Sequence, residues 1–208
     1  METFTVLTGV AAPLQRENVD TDLIIPIKRL VSLEHVDLGH WAFEAIRYRP
    51  DGTENPDFVL NQPAFRGASI LIAGRNFGCG SSREGAVVAI RGMGIRCVIA
   101  PSFGDIFFNN CLKNGIVPAR LPAETCRDLR QRVTQAPGTE LTVDLETQLV
   151  DGEHPFSVDP FFREMLLKGV DEIGLTLTML PEIEAFERAY AGKASWAVPA
   201  TAGTPSAF

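Results

Sequence analysis

The chain lacks the features that mark secreted, metal-binding and membrane-spanning proteins. Its 208 residues include four cysteines and three histidines, with no Cys-x-x-Cys pair and no zinc-ligand spacing among them. A disulfide framework and a metal site built by this chain alone are therefore not expected. No apolar run approaches the roughly 20 residues that span a bilayer. The first residues show no basic segment followed by an apolar one, so we expect a cytoplasmic protein.

An excess of positive charge is also absent. The formal net charge is -7, and the acidic residues are spread along the chain rather than gathered in a tail. This distribution excludes the basic footprint of a nucleic-acid-binding protein. A small anion stays a candidate ligand, although it would need a local positive site.

Apolar residues are plentiful, at 45% of the chain, which is enough for a folded core. The centre of the chain predicts the order strand, loop, helix, strand, helix, which implies a parallel strand pair with a right-handed crossover. The predicted elements are a strand at Ala68–Ala73, a helix at Arg83–Arg91, a strand at Arg96–Ala100, and a helix capped by Ser102 that runs through Asn114, with Gly115 at its C′ position.

The flanking regions predict further elements of both kinds. These are a strand at Thr3–Leu7, a helical stretch at Leu33–Tyr48 broken at Gly39, helices at Pro122–Val133, Pro160–Lys168 and Pro181–Ala191 with Gly169 and Gly174 between the last two, and a hairpin at Glu140–Val150. Helices together with parallel and hairpin strands predict an α/β or mixed β/β/α domain. We expect that domain to cover residues 1–191 and the Ala- and Pro-rich residues 192–208 to be poorly ordered.

The most informative stretch is the loop Gly74–Glu84. Its glycines at positions 74, 78 and 80 permit positive φ and a close approach of the backbone to a ligand. The loop runs into a helix N-terminus, where free N–H groups and the helix dipole attract anions. Arg83 lies in the predicted first turn and can donate two parallel hydrogen bonds to a carboxylate. This pattern favours a functional anion-binding loop.

Other interpretations of the loop are weaker. Ser81 and Glu84 have the spacing of a capping box, but capping does not explain three glycines, a second serine and an arginine. If Ser81 did cap the helix, its side-chain oxygen would be occupied by a backbone N–H group. Ser82 or Glu84 would then have to share the capping role. A Walker phosphate loop needs a lysine after its last glycine, and a Rossmann fingerprint needs glycine where Arg83 stands. A small carboxylate is the remaining ligand.

The residues Gly78-Cys79-Gly80-Ser81-Ser82-Arg83-Glu84 resemble the active-site loop of the aconitase superfamily. Several separated segments are similar to the small subunits of bacterial isopropylmalate dehydratases. They are Asn18–Asp22 with Ile24–Pro26, Pro56–Asn61, Gly67–Leu71, Val98–Phe107 and Ile173–Leu177. The resemblance covers roughly residues 3 to 190.

This resemblance implies a swivelling β/β/α domain that works only with a large subunit, in a heterodimer or heterotetramer. The large subunit would hold a [4Fe–4S] cluster through its own cysteines, so that this chain binds no cofactor or metal itself. The implied activity is a hydro-lyase that isomerises 2-isopropylmalate and 3-isopropylmalate by dehydration and rehydration in leucine biosynthesis. The four cysteines are then expected to be core or near-core thiols, and Cys79 is the one that lies inside the loop.

The resemblance also implies roles for individual residues. Ser81 is the base that takes the substrate proton, while Ser82, Arg83 and Gly80 bind a substrate carboxylate. A specificity segment follows Pro26 and runs from Ile27 to Ser32.

Within that segment, Leu30 and Val31 offer an apolar wall suited to an isopropyl group. Arg29 and Lys28 either contact substrate or are solvated. The wall would set a preference rather than absolute selectivity.

One departure from the family concerns the residue after Arg83-Glu84, where bacterial small subunits usually have histidine. This chain has Gly85, which lowers helix propensity by about 1 kcal/mol relative to alanine. Two alternatives therefore stay open. One is a paralogous dehydratase for another substituted malate, related to citramalate or homocitrate. The other is a non-catalytic carboxylate-sensing module.

Overall fold

The computed structural model describes residues 1–31, 37–193 and 196. The chain divides into two compact units, Met1–Gly169 and Val170–Phe208. The described part of the second unit consists mainly of helices α9 (Glu172–Thr178) and α10 (Leu180–Lys193). Except for Gly192, Lys193 and Trp196, the predicted tail lies outside the described residues.

A seven-stranded mixed sheet forms the centre of the first unit, in the order β4-β3-β2-β1-β5-β6-β7. The strands are β1 Val6–Pro13, β2 Ile70–Ile72, β3 Cys97–Ala100, β4 Val117–Arg120, β5 Glu140–Asp144, β6 Leu149–Val150 and β7 His154–Pro155. Strands β1 to β4 pair in parallel, whereas β5, β6 and β7 add antiparallel pairs on the other side of β1. Strand β1 therefore joins a parallel half to an antiparallel half.

Helices surround this sheet. In the first unit they are α1 Thr21–Ile24, α2 Ile27–Leu30, α3 Leu38–Trp41, α4 Glu44–Arg47, a 3₁₀ turn at Val59–Asn61, α5 Glu84–Gly92, α6 Asp105–Lys113, α7 Ala123–Gln135 and α8 Pro160–Lys168. Both faces of the parallel half are covered, because successive residues of β2 enter different cores. Leu71 packs in the cluster that contains α5, while Ile70 and Ile72 pack in the cluster that contains α7. This explains why the strand is an uninterrupted apolar run.

Most of the predicted elements are confirmed, including the parallel pair β2–β3 and the hairpin β5–β6. The Ser102 cap is wrong, because α6 begins at Asp105 after Gly104 and the Ser102 hydroxyl instead accepts the Asn76 N–H at 2.8 Å. The first strand is also longer than predicted and runs to Pro13, because its second half pairs with β2.

Two glycines do not act as the predicted helix breakers. Gly39 lies within α3, and the chain turns instead at buried Phe43, which has φ +58° and donates its N–H to the Ile24 carbonyl. Gly174 lies within α9, where its N–H donates to the capping side chain of Asp171. Of the stretch predicted around Gly39, residues 33–36 lie outside the described part of the chain.

Candidate active site

Three loops meet where the parallel strands end. They follow β1, β2 and β3, and parallel strands bring their carboxyl ends to one edge of a sheet, where ligands bind in α/β folds. Backbone hydrogen bonds join the loops. Gly78 N–H donates to the Val19 carbonyl at 2.7 Å, and Thr21 N–H donates to the Cys79 carbonyl at 3.0 Å. On the other side, Phe77 N–H donates to the Ser102 carbonyl at 3.0 Å. The central loop is thus fixed by its backbone on both sides.

The glycines of this loop do two different things. Gly78 and Gly80 have φ of +70° and +89°, as predicted. A Cβ at Gly78 would also lie less than 3.0 Å from the ring of Phe107, closer than real Cβ atoms approach. Gly74 has no positive φ, and its role is close packing, because a Cβ there would lie within 3.0 Å of the Arg16 carbonyl.

The start of α5 corrects the capping interpretation. The helix begins at Glu84, and its N-cap residue is Arg83, whose side chain makes no capping hydrogen bond. Ser81 therefore stands two residues before the N-cap, and neither it nor Ser82 caps the helix. Glu84 does not cap it either, because its carboxylate accepts a hydrogen bond from the Asn114 side chain at 2.9 Å. Ala86 N–H donates to the Arg83 carbonyl at 3.2 Å, but the N–H groups of Glu84 and Gly85 have no acceptor among the residues that the structure describes.

The two serines are exposed at the surface just before this helix. The Ser81 carbonyl accepts a 3.0 Å hydrogen bond from the hydroxyl of Thr21, which is almost completely buried. Within the described part of the chain, neither serine hydroxyl has a hydrogen-bond partner. The backbone at Ser81 is thus anchored while its hydroxyl is free for another group.

Arg83 follows the two serines directly. Its side chain is 15% exposed, and its Nη1 forms an ion pair with Asp22. The other guanidinium N–H groups have no acceptor among the residues that the structure describes, so they are available to a carboxylate. Asp22 is not among the site residues predicted from the sequence. The signal that could have found it is its place in the segment Asn18–Asp22, which resembles the family.

Helix α2, which contains most of the predicted specificity segment, lies against the first turn of α5. A Cβ added at Gly85 would meet the end of the Leu30 side chain, with Cδ2 closer than 3.0 Å and Cδ1 at 3.1 Å. Leu30 is half-buried, whereas the next residue, Val31, is 70% exposed. The structure therefore places Leu30 beside the helix that follows the loop Gly74–Arg83, which we call the serine loop. Ser32, the predicted end of the segment, lies outside the described residues.

The basic residues of α2 are held by one carboxylate. Arg29 donates two hydrogen bonds to Glu44, at 2.9 and 2.7 Å, and its guanidinium lies 3.4 Å from the centre of the Trp41 ring. Lys28 adds an ion pair to the same carboxylate at 3.1 Å. The hydrogen bonds from Arg29, followed by those from Lys28, lower the pKa of Glu44 from its ordinary 4.5 to about 2, against the opposing effect of burial. Arg29 is therefore an anchor of α2, and its predicted contact with substrate stays a prediction that would require this pair to break.

Three of the four cysteines are buried, as predicted, and Cys79 is partly exposed in the loop. Burial raises the pKa of the thiols of Cys97, Cys111 and Cys126, the last to about 11. Among residues 1–31, 37–193 and 196, no three His, Cys, Asp or Glu side chains are grouped so as to hold a metal ion. The described residues therefore offer no grouped ligand set for an iron–sulfur cluster. In the same residues, no helix combines the length and apolarity needed to cross a bilayer.

Known proteins are similar to this chain over most of its length. The family described as the aconitase C-terminal domain matches residues 1–124. A 3-isopropylmalate dehydratase small subunit from Rhodospirillum centenum is 54% identical over 202 residues, which is 95% of this chain and 100% of the relative. The chain belongs to the family of 3-isopropylmalate dehydratase small subunits.

Other relatives support this assignment. The small subunit from Gluconobacter oxydans is 53% identical over 98% of this chain and 99% of its own length. A crystal structure of a 3-isopropylmalate dehydratase from Methanocaldococcus jannaschii has a TM-score of 0.62 at 25% identity, and the match covers 86% of this chain and 99% of that one. The predicted family and the predicted fold class, a swivelling β/β/α domain of the aconitase superfamily, are confirmed. Membership of this hydro-lyase small-subunit family also implies a large-subunit partner.

Proposed function

We propose that this chain, with a large subunit, interconverts 2-isopropylmalate and 3-isopropylmalate by removal and return of water, as a step of leucine biosynthesis. The proposal is supported by similarity over nearly the whole length of relatives that bear this name. We further propose a heterodimer or heterotetramer located in the cytoplasm.

The observation that carries the proposed mechanism is the free, exposed Ser81 hydroxyl beside Arg83 at the start of α5. The reaction requires that a proton leave a carbon next to a carboxylate while hydroxide leaves the neighbouring carbon. We assign the proton transfer to Ser81. Serine is a weak base unless its alkoxide is stabilised, and the free N–H groups of Glu84 and Gly85 at the positive end of the helix would supply that stabilisation.

Substrate binding is assigned to the neighbouring groups. Arg83 would hold a substrate carboxylate through its free N–H groups, with the Ser82 hydroxyl and the backbone at Gly80 beside it. Leu30 and Val31 would face the isopropyl group. A wall of this kind discriminates by about 1–3 kcal/mol, which sets a preference among alkylmalates.

The remaining chemistry belongs to the partner. A [4Fe–4S] cluster, when bound by the large subunit, supplies a Lewis acid for the substrate hydroxyl. The residues of this chain would contribute no ligand to it, and their work is to bind the diacid and to accept and return the proton.

The test is the Ser81→Ala variant assembled with the large subunit. Loss of a positioned base lowers rates by about 10²- to 10⁴-fold, so we expect turnover of 2-isopropylmalate to fall by that factor. Assembly, measured by size-exclusion chromatography, and iron content should not change. Ser157→Ala is the matched control, since Ser157 is an exposed serine that follows the antiparallel strand β7.

Two results would contradict the proposal. Near-normal turnover by Ser81→Ala would remove the catalytic role and favour a carboxylate-sensing module. Strong activity of the unmodified complex on citraconate or homocitrate, without activity on 2-isopropylmalate, would replace the named substrate.

A further inference from the structure

The space above Gly85 is filled by a residue of the specificity segment. Gly85 lies in the first turn of α5, where it has no positive φ and so has no conformational need to be glycine. A Cβ there would overlap Cδ2 of Leu30 and would crowd its Cδ1 at 3.1 Å and its Cγ at 3.4 Å. The missing side chain thus makes a notch on α5 that receives the end of Leu30.

We propose that Gly85 is a positioning residue for Leu30, and that the depth to which Leu30 enters this Gly85 notch determines the width of the apolar side of the substrate site. The proposal rests on the function proposed above and extends it to a second element. Gly85 itself touches no reacting atom, and it acts through Leu30.

The surroundings explain why the contact would affect selectivity. The helix that bears Leu30 is anchored by the pairing of Arg29 with Glu44 and by the packing of Arg29 on Trp41. A side chain at position 85 therefore meets a Leu30 whose backbone is held. The available response is rotation of Leu30 to another rotamer, away from α5 and toward the exposed side, where Val31 lies. That rotation narrows the space for a branched alkyl group.

Helix propensity acts in the opposite direction and separates this effect from general damage. Alanine has a higher helix propensity than glycine, so Gly85→Ala should raise the folding stability through the backbone. The same substitution strains the contact with Leu30. A loss of selectivity without loss of stability is the signature of a positioning role. Leu30→Ala removes the atoms that the new methyl group would meet.

The experiment is a double-mutant cycle on the full chain assembled with its large subunit. Gly85→Ala, Leu30→Ala and the double variant are compared with the unmodified protein in kcat/KM for 2-isopropylmalate and for the smaller citramalate. The selectivity ratio is kcat/KM for 2-isopropylmalate divided by kcat/KM for citramalate. We expect Gly85→Ala to lower this ratio by about 10-fold, the size expected for one mispositioned apolar contact. The double variant should have the ratio of Leu30→Ala alone. Val88→Ala, on the partly exposed side of the same helix, is the control and should leave the ratio unchanged.

A second measurement keeps the outcome separate from that of the proposed function. Melting temperatures of the same four chains, taken without the large subunit, should be non-additive, with Gly85→Ala gaining more in the Leu30→Ala background than alone. Additive melting temperatures, or an unchanged ratio in active Gly85→Ala enzyme, would overturn the inference. If the unmodified complex turned over neither acid, the proposed function would fail, and the melting temperatures alone would still decide whether Gly85 positions Leu30.

Discussion

The serine loop and helix α2 lie next to each other at the proposed site but are held in different ways. Backbone hydrogen bonds to the segments after β1 and β3 hold the serine loop, and the hydroxyl groups of Thr21 and Ser102 add side-chain bonds to them. Side chains hold α2, through the pairing of Arg29 with Glu44 and through the contact of Leu30 with the Gly85 notch. We infer that the two elements have different roles. The loop carries the proton transfer, and changes in α2 alter the substrate preference.

The largest effect should come from disturbing the backbone of the loop. Gly78→Ala forces a side chain into a left-handed backbone and against the Phe107 ring, which we expect to cost about 2–5 kcal/mol of folding free energy. Urea denaturation of the chain measures this. Gly138→Ala is the control, since Gly138 has φ +88° with open space around it, and it should cost about 1 kcal/mol. Equal losses at the two sites would mean that the ring contact does not hold the loop.

A smaller effect is expected at Arg83, which we propose binds a substrate carboxylate. Arg83→Lys keeps the charge but loses the planar fork, so kcat/KM should fall by about 10- to 100-fold, with KM raised. Asp22→Asn should act in the same direction and more weakly, because it releases Arg83 from its ion pair without removing it. Steady-state kinetics of the assembled enzyme measures both. A KM unchanged in Arg83→Lys would argue against a carboxylate at this position.

The pairing of Arg29 with Glu44, which anchors α2, should stabilise the fold in a pH-dependent way. The folded-state pKa of Glu44, about 2, lies below its ordinary 4.5, so the pair stabilises the fold above pH 4.5, and this contribution is lost as pH falls toward 2. Glu44→Gln should therefore destabilise the chain at neutral pH by about 1–2 kcal/mol, a value reduced for solvent screening of this partly exposed network. The difference in unfolding free energy between Glu44→Gln and the unmodified protein should disappear as the pH falls from 4.5 to 2, which denaturation experiments at several pH values measure.

One result would contradict this interpretation of Glu44. A difference that did not depend on pH would show that its charge does not hold α2. Glu54→Gln is the matched control, because Glu54 pairs with Arg66 in a more exposed position, and it should change stability less.

The smallest effect should follow the loss of one side-chain bond to the loop. Thr21→Val keeps the shape of the buried residue but leaves the Ser81 carbonyl without its donor, at a cost of about 1 kcal/mol. Turnover should fall only a few-fold, because the backbone bonds on either side remain. Thr8→Val, which removes an exposed hydroxyl pair with Thr142, should leave turnover unchanged. A loss as large as that of Ser81→Ala would show that Thr21 has a direct role in the reaction.

The sequence predicts the serine loop better than its surroundings because local chemistry determines it. The glycines at 78 and 80, the helix that follows and Arg83 at its start are all features of consecutive residues. The capping box failed because helix bounds depend on packing, and α5 begins at Glu84 rather than at the serines. No local pattern could have shown this, since Glu84 instead accepts a hydrogen bond from Asn114, thirty residues away.

The contacts of α2 were beyond sequence analysis for a similar reason. Nothing near Gly85 in the chain indicates that Leu30 occupies the space beside it, because the two residues lie on different helices. Likewise, the choice between a solvated and a substrate-binding Arg29 depended on Glu44, which the fold brings to it from a third helix. Pairings between short, separated helices leave no periodic signal in a sequence.

In the proposed mechanism the serine loop performs the proton transfer and α2 does not. Incorporation of solvent deuterium into 2-isopropylmalate, followed by NMR in the assembled enzyme, tests that step alone. We predict that Ser81→Ala slows incorporation by about 10²- to 10⁴-fold, whereas Leu30→Ala preserves one deuterium for each turnover although it lowers affinity. Incorporation by Ser81→Ala at the rate of the unmodified enzyme would contradict the claim.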